Sequence, residues 1–480
     1  MGWFKLWCFE LFLTMTFFED ISASDQRPQK QNEQGYLPPA AFLSKYIQIP
    51  SVTGNEKAAG EFLAAACREK GLHVRIFSDQ NSSFNFAASL YPLSLRKPNI
   101  VFLHHIDVVH EGDPALWTYP PYSGAIAEGN VWGRGSIDNK GLGVVQLFAL
   151  TAFVEEAAKN DLPYNFTLLA VSNEEADGSL GAGLVTEKYF DELNPVAIYG
   201  EGGGGFSGVV KAQPELVMFG VELAQKRALW LLLTAKGATI GHGSFDAQVY
   251  PAKELTLATA AILNQKRKTK IIPLVREMFS DIGANEKGLR KLAMKHIRLF
   301  APFISRQISK EELISSIMGN TITLSGIGAS ESADNQMSHG AWATFDVRLL
   351  PGVSSVDFLT KLKKRIKKYR AELTVIKERP QSPISEKGVY YQALKESIAE
   401  IFGNVAVVPM LFPATNDNLF FRAKGIPAYG MFPAVFRQEH VHSIHNIDER
   451  IPIKALDEGI ALYNALIRNL LQGLASEKKL

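Results

Sequence analysis

Asn99-Ile100-Val101-Phe102-Leu103, followed at once by His104-His105-Ile106-Asp107, is the stretch on which the fold turns. A short apolar run without alternation is the mark of a strand buried on both faces, and such strands belong to parallel sheets covered by helices. Phe166 to Val171 and Val196 to Tyr199 are further runs of this kind. Gly141 to Ala158 reads as a helix between the first two, and Glu56 to Gly71 as a helix with an Ala/Leu/Phe face ahead of a strand at His73 to Phe77. This alternation predicts an α/β fold, an open and mostly parallel sheet with helices on both faces.

The texture changes between about Val221 and Pro380. Ala228 to Ala235, Asn320 to Leu324, Ala341 to Leu350 and Leu373 to Ile376 read as strands; Ala252 to Leu263 and Val356 to Tyr369 read as helices. In the third strand Asp346 and Arg348 alternate with Phe345, Val347 and Leu349, the period of a half-buried strand. These elements predict a small α+β sandwich over 221–380, inserted into a discontinuous larger domain of 36–220 and 381–476, with a helix-rich elaboration from Lys266 to Ser316. The α/β texture resumes with a helix at Tyr390 to Ile401, a strand near Ala428 to Phe432 and a closing helix at Ile453 to Leu471. A chain of 480 residues is long enough for two such domains.

At the start, Lys5, the apolar run Leu11 to Phe18 and the small residues Ser22-Ala23-Ser24 read as a signal peptide over 1–24, with a polar spacer at 25–35. The expected location is therefore secreted or periplasmic, with an uncleaved membrane-proximal segment, and so a membrane-anchored or cytoplasmic protein, as the alternative. No later stretch holds the roughly 18 continuous apolar residues of a membrane span. A net charge of +2 points to neither nucleic acid nor an anionic surface. With Cys8 in the leader, Cys67 stands alone, which excludes a disulfide framework and a multi-cysteine metal site.

Ligands of open α/β sheets gather at the carboxyl ends of the strands. Here His104-His105-Ile106-Asp107 follows the first buried strand, Asn173-Glu174-Glu175 the second and Gly200-Glu201-Gly202 the third. A glycine-bracketed loop, Gly133 to Gly141, carries Asp138 between the first two. Any one acid at a strand end is ordinary. Acids converging from four positions repel one another, and a multivalent cation is the usual remedy. Imidazole and carboxylate without thiolate suit zinc, and also manganese or cobalt. The H-x-D spacing puts Asp107 where its carboxylate can accept the second ring N–H of His105, while His104 should face the opposite way.

Together His105-Ile106-Asp107-Val108-Val109, Trp117, Trp132-Gly133-Arg134-Gly135-x-x-Asp138-x-Lys140-Gly141, Glu174-Glu175 and Glu201-Gly202 resemble the di-zinc metallopeptidase family of aminoacylase and carboxypeptidase S, over about Leu43 to Leu470. The resemblance implies two metal ions per subunit, His105 and Glu201 holding one, Glu175 and a C-terminal histidine the other, and Asp138 bridging. It implies that Glu174 is the general base, with Asp107 supporting His105. The family histidine lies four residues before a Glu-Arg pair, which here is His445, with His440 and His442 as alternates in the same loop. Gly241-His242-Gly243-Ser244 resembles the family turn whose histidine stabilises the oxyanion from a partner subunit, which implies a homodimer through the inserted domain. Asn335 and Arg348, the latter in Asp346 to Gly352, match substrate-binding positions, and Arg348 suits a substrate carboxylate.

Three departures stand out. Gly200 replaces an acid, Asn416-Asp417-Asn418-Leu419 lacks the arginine of T-D-x-R, and Asn335-Gln336-Met337-Ser338 lacks the proline of N-x-x-P. The expected activity is hydrolysis of peptide or N-acyl amide bonds beside a free carboxylate, as a carboxypeptidase or N-acyl-amino-acid amidohydrolase. An aminopeptidase or dipeptidase of the same fold, and a catalytically silent binding protein, are the rival readings.

Overall fold

The computed structural model describes residues 38–237, 242–244, 247–266, 268–301, 312–330 and 334–477. The expected leader and spacer lie outside them. The strands that carry the architecture are β1 (His73–Gln80), β2 (Ser83–Ser89), β3 (Asn99–His105), β4 (Asn165–Val171), β5 (Pro195–Phe206), β6 (Val217–Gln225), β7 (Arg227–Lys236), β8 (Thr321–Ala329), β9 (Gly340–Leu349), β10 (Glu372–Glu378), β11 (Val405–Phe412) and β12 (Ala428–Val435).

β1, β2, β4, β3, β5, β12, β6 and β11 form, in that order, an 8-stranded sheet. Its centre, β4-β3-β5-β12, is parallel, and antiparallel β1 and β2 close one edge. The continuous apolar run of β3 has a simple cause. Ile100 and Phe102 pack into the core shared with the helices Lys140–Thr151 and Ile453–Glu477, whereas Val101 and Leu103 pack into the core of the other face with Ala182, Val185 and Phe421. Both faces are dry, so neither can be polar. The apolar segment Lys140–Lys159 is long enough to cross a bilayer, but its main helix lies between the sheet and the closing helix.

β2, β6 and β11 escape a reading by apolar pattern. β2 is wholly buried yet carries Ser83 and Asn85, whose polar groups are satisfied by the Leu180 carbonyl and the Ser78 hydroxyl. β6 carries Glu222, fully buried and paired with Arg422 at 2.6 Å. Buried polar groups that find partners do not disrupt a strand.

β8, β9, β7 and β10 form a separate antiparallel 4-stranded sheet. Ala341, Ala343, Phe345, Val347 and Leu349 of β9 face its core, as their alternation predicts, under the helices Pro251–Leu263 and Ser355–Ile366. Two differences from the predicted division emerge. β6 belongs to the large sheet, so the sandwich begins after Gln225 rather than at 221. The helices Pro273–Ala284 and Gly288–Lys295 leave the sandwich altogether: Leu274, Val275, Phe279 and Met294 join the core of the large domain, the first of these helices lying against β11. An amphipathic face states that a helix is covered, not by what.

Candidate active site

His105 is the last residue of β3, and its neighbour His104 points the other way, buried and bonded through Nδ1 to Gln146 Oε1 at 2.9 Å. Nδ1 of His105 lies 2.8 Å from the backbone carbonyl of Asp107 and 3.6 Å from its carboxylate. The predicted carboxylate acceptor is thus replaced by a carbonyl of the same residue. A carbonyl only accepts, so Nδ1 carries the proton and Nε2 of the neutral ring keeps its lone pair for a ligand. The fully buried Asp107 carboxylate does something else: it accepts the backbone N–H groups of Glu174 and Glu175, both at 3.1 Å, and the Thr53 hydroxyl at 2.9 Å. Asp107 therefore fixes the end of β4 against the end of β3.

Asp138 stands in the glycine loop as predicted, and its Asp138–Asn139 peptide bond is cis. One oxygen, Oδ1, lies 2.9 Å from His105 Nε2 and the other, Oδ2, 3.1 Å from His445 Nε2. His445 also lies 3.1 Å from Glu175 Oε1, and Glu201 Oε2 lies 3.5 Å from His105 Nε2. Asn139 donates its side-chain amide to Glu201. Among the C-terminal histidines, His445 reaches the cluster, with a positive φ of 59°; His440 is buried beside Phe436, and His442 is exposed.

Glu449, which serves in the sequence only as a counting mark, organises the whole loop. Its carboxylate accepts Arg134 Nη1 at 2.8 Å and the backbone N–H groups of Gly135, Ile137 and Asp138 at 2.9, 2.9 and 3.0 Å. The departures at 200 and 416–419 also meet in space. A Cβ on Gly200 would lie 2.3 Å from Asn418 Oδ1, so the lost acid and the new asparagine exclude each other sterically. Asn416 and Asn418 donate to the Glu201 carbonyl and to buried Glu222. Leu419 is buried and lines a small cavity together with Leu350, Pro380 and Ser382.

The electrostatics describe a site short of positive charge. Asp107, Asp138, Glu174, Glu175, Glu201 and Asp417 converge on His105 and His445. Burial, with Glu201 next, pushes Glu174 well above the carboxylate range; burial and then Asp138 push Glu175 up to about 7; burial lifts Asp417 to about 8. Hydrogen bonding to Asp138 and then Glu175 raises His445 to about 10, and His105 is raised by surrounding carboxylates against the pull of burial. Donor atoms of His105, Glu174 and Glu201, and of His105, Asp138 and Glu175, each lie within 4.8 Å of one another. Two adjoining sets of carboxylate oxygen and imidazole nitrogen, with His105 common to both and the two Asp138 oxygens divided between His105 and His445, fit a pair of divalent ions.

The inserted domain is less convergent. His242 bridges to Gln336, bonds Ser244 Oγ through Nδ1 at 2.6 Å, and lies 3.3 Å from the Asn335 amide; both His242 and Asn335 are exposed. Arg348 reaches across to Thr415 Oγ1 at 2.8 Å, but Nε and Nη2 form a fork on Asp346 at 2.8 and 2.9 Å. Its guanidinium already holds a carboxylate, which differs from the open carboxylate grip its motif implies.

The family model described as Peptidase family M20/M25/M40 matches residues 101–469. The chain is similar to the "N-fatty-acyl-amino acid synthase/hydrolase PM20D1" of Xenopus tropicalis, 26% identical over 447 residues, 89% of this chain and 85% of that one. It is similar also to a "Probable carboxypeptidase S-like 2" of Dictyostelium discoideum, 26% identical over 468 residues, 95% and 83% of the two chains. Its fold resembles that of an M20 family metallo-carboxypeptidase, Sso-CP2 from Sulfolobus solfataricus, with a TM-score of 0.66 at 17% identity, covering 90% of this chain and 98% of the other.

Proposed function

This chain belongs to peptidase family M20/M25/M40, and from that premise we propose that it is a di-metal hydrolase of peptide or N-acyl amide bonds next to a free carboxylate. The observation that carries this is Asp138, set between two imidazoles with one oxygen toward each, and Glu174 facing the same cluster. In this reading His105 and Glu201 would hold one ion, Glu175 and His445 the other, and Asp138 would serve both; zinc suits the donors, and cobalt or manganese is compatible. The chemistry such a pair supplies is Lewis acidity toward the scissile carbonyl and the attacking water. Glu174 is the base: its carboxylate takes a proton from that water and delivers it to the leaving nitrogen, a task suited to an acid whose pKa burial has raised. A carboxypeptidase or N-acyl-amino-acid amidohydrolase is favoured over an aminopeptidase or dipeptidase because the names of the two similar proteins both point to carboxylate-bearing substrates.

We also propose a homodimer through the inserted sheet, with His242 acting at the partner's oxyanion. Exposed Ile327 on edge strand β8 and exposed Trp342 on β9 support that surface. The leader-like segment supports export.

The test is a hydrolysis screen of N-acyl amino acids, dipeptides and their C-terminal amides, with and without chelator. Chelation should abolish turnover, and zinc, cobalt or manganese should restore it, with free acids preferred. Full activity in verified metal-free protein would refute the mechanism, and equal turnover of acids and amides would refute the carboxylate-directed part.

A further inference from the structure

Arg379 leaves β10 beside the catalytic loop and carries a guanidinium with nothing to hold. It is 8% exposed, and among the described residues its side chain makes no hydrogen bond and no ion pair. Its setting is well defined. Two residues earlier, Lys377 pairs with Asp177, in the loop that begins at Glu174, so the exit of β10 lies over that loop. The Arg379 backbone N–H bonds the Ala228 carbonyl at 3.0 Å, and the guanidinium stands 5.6 Å from the centre of the Phe420 ring. Phe420 and Asp417 both crowd Gly178 of the same loop. Burial lowers the pKa of Arg379, Asp417 and then Glu174 oppose that, and Arg348 adds to it, so these are the charged groups whose fields it feels.

A guanidinium taken out of water without a partner is costly, and buried charges are ordinarily paired. Arg348 meets that requirement through Asp346; Arg379 does not. Its five donors match a carboxylate in a two-point grip, and Glu174 is close enough to perturb it. We propose that Arg379, rather than Arg348, binds the free carboxylate of the substrate and so sets the register of the scissile amide against Glu174. The proposal rests on the carboxylate-directed hydrolase reading above.

The experiment compares an N-acyl amino acid with its C-terminal amide as substrates of the metal-loaded protein and of Arg379→Met, Arg379→Lys and Arg348→Met. Removing the charge partner of a desolvated carboxylate should lower kcat/KM on the acid by on the order of 10²-fold in Arg379→Met, mostly through KM, with a far smaller fall on the amide. The preference for acid over amide should therefore collapse. Arg379→Lys keeps the charge but not the fork and should lose roughly tenfold of the preference; it carries the test should Arg379→Met fail to fold, as judged by metal content and circular dichroism. Arg348→Met should keep the preference. Equal losses on acid and amide in the Arg379 variants, or an intact preference in them, would overturn the assignment, as would a collapse confined to Arg348→Met. A wild-type protein that does not prefer acids overturns the functional reading itself, and the assignment with it.

Discussion

Glu449→Gln removes one charge and changes almost nothing in shape, yet it should be among the more damaging single substitutions outside the metal ligands. Oε2 of Glu449 accepts Arg134 Nη1 and the Gly135 N–H; Oε1 accepts the Ile137 and Asp138 N–H groups. Both partners of the ion pair are essentially fully buried. A glutamine has one acceptor oxygen, so its amide nitrogen must face two donors, whichever way it turns. Two hydrogen bonds to a charged acceptor are lost, at about 1.5–3 kcal/mol each. Breaking a buried ion pair by changing one partner costs about 3–5 kcal/mol. The two routes overlap, and about 3–5 kcal/mol is the expected loss. Because these donors belong to the loop that places Asp138, metal affinity should fall by roughly 10–100-fold as well. Urea unfolding of the metal-loaded and chelated proteins separates the two effects: destabilisation in the chelated protein reports the loop, and the additional loss in the loaded protein reports the weaker metal. A loss under about 1 kcal/mol in the chelated protein, with metal affinity unchanged, would show that Glu449 does not hold the loop.

Glu174→Gln should keep its metal and lose roughly 10²-fold or more in kcat, whereas Glu175→Gln should weaken metal binding, both read by metal analysis beside kinetics; the opposite pattern would exchange the two roles. Glu175 is raised to about 7 from an ordinary 4.5, so in the metal-free fold it holds a proton that the unfolded chain has released. Its contribution therefore favours the chelated fold below about pH 4.5 and is lost as pH rises through 7. Since the ion must displace that proton and the one His445 also holds over this range, apparent metal affinity should fall by at least about tenfold per pH unit below 7, measurable by competition titration; a flat profile between pH 5 and 7 would contradict it. If His242 acts across a dimer, mixing inactive His242→Ala with inactive Glu174→Gln subunits should recover activity, because a hybrid has one site with both residues intact, and loss of an oxyanion donor costs on the order of 10²–10³ in kcat. Proven subunit exchange without recovery would count against delivery in trans.

What the sequence determined by itself is whatever short-range pattern and residue chemistry encode. A strand dry on both faces must be continuously apolar, so β3, β4 and the start of β5 declare themselves, and the groups that follow them lie at one edge of the sheet. His105, Glu174, Glu175 and Glu201 were legible on that ground, the glycine-bracketed loop offered Asp138, and family order supplied His445. The tertiary structure alone decided who partners whom. Asp107 serves the Glu174 and Glu175 backbone across 67 and 68 residues, and Glu449 serves the Asp138 loop across 311 or more. β2 and β6 hide their polar residues in partnerships with Leu180 and Arg422, and the helices at 273–295 choose the larger core over the sandwich they interrupt. Arg379 reads as one more charge at a strand end until the fold buries it under the influence of Asp417 and Glu174 without an ion pair. The physical reason is common to all of these. Burial and hydrogen-bond satisfaction are properties of a place in the folded molecule, filled by residues hundreds of positions apart, whereas periodicity and donor chemistry travel with the local chain.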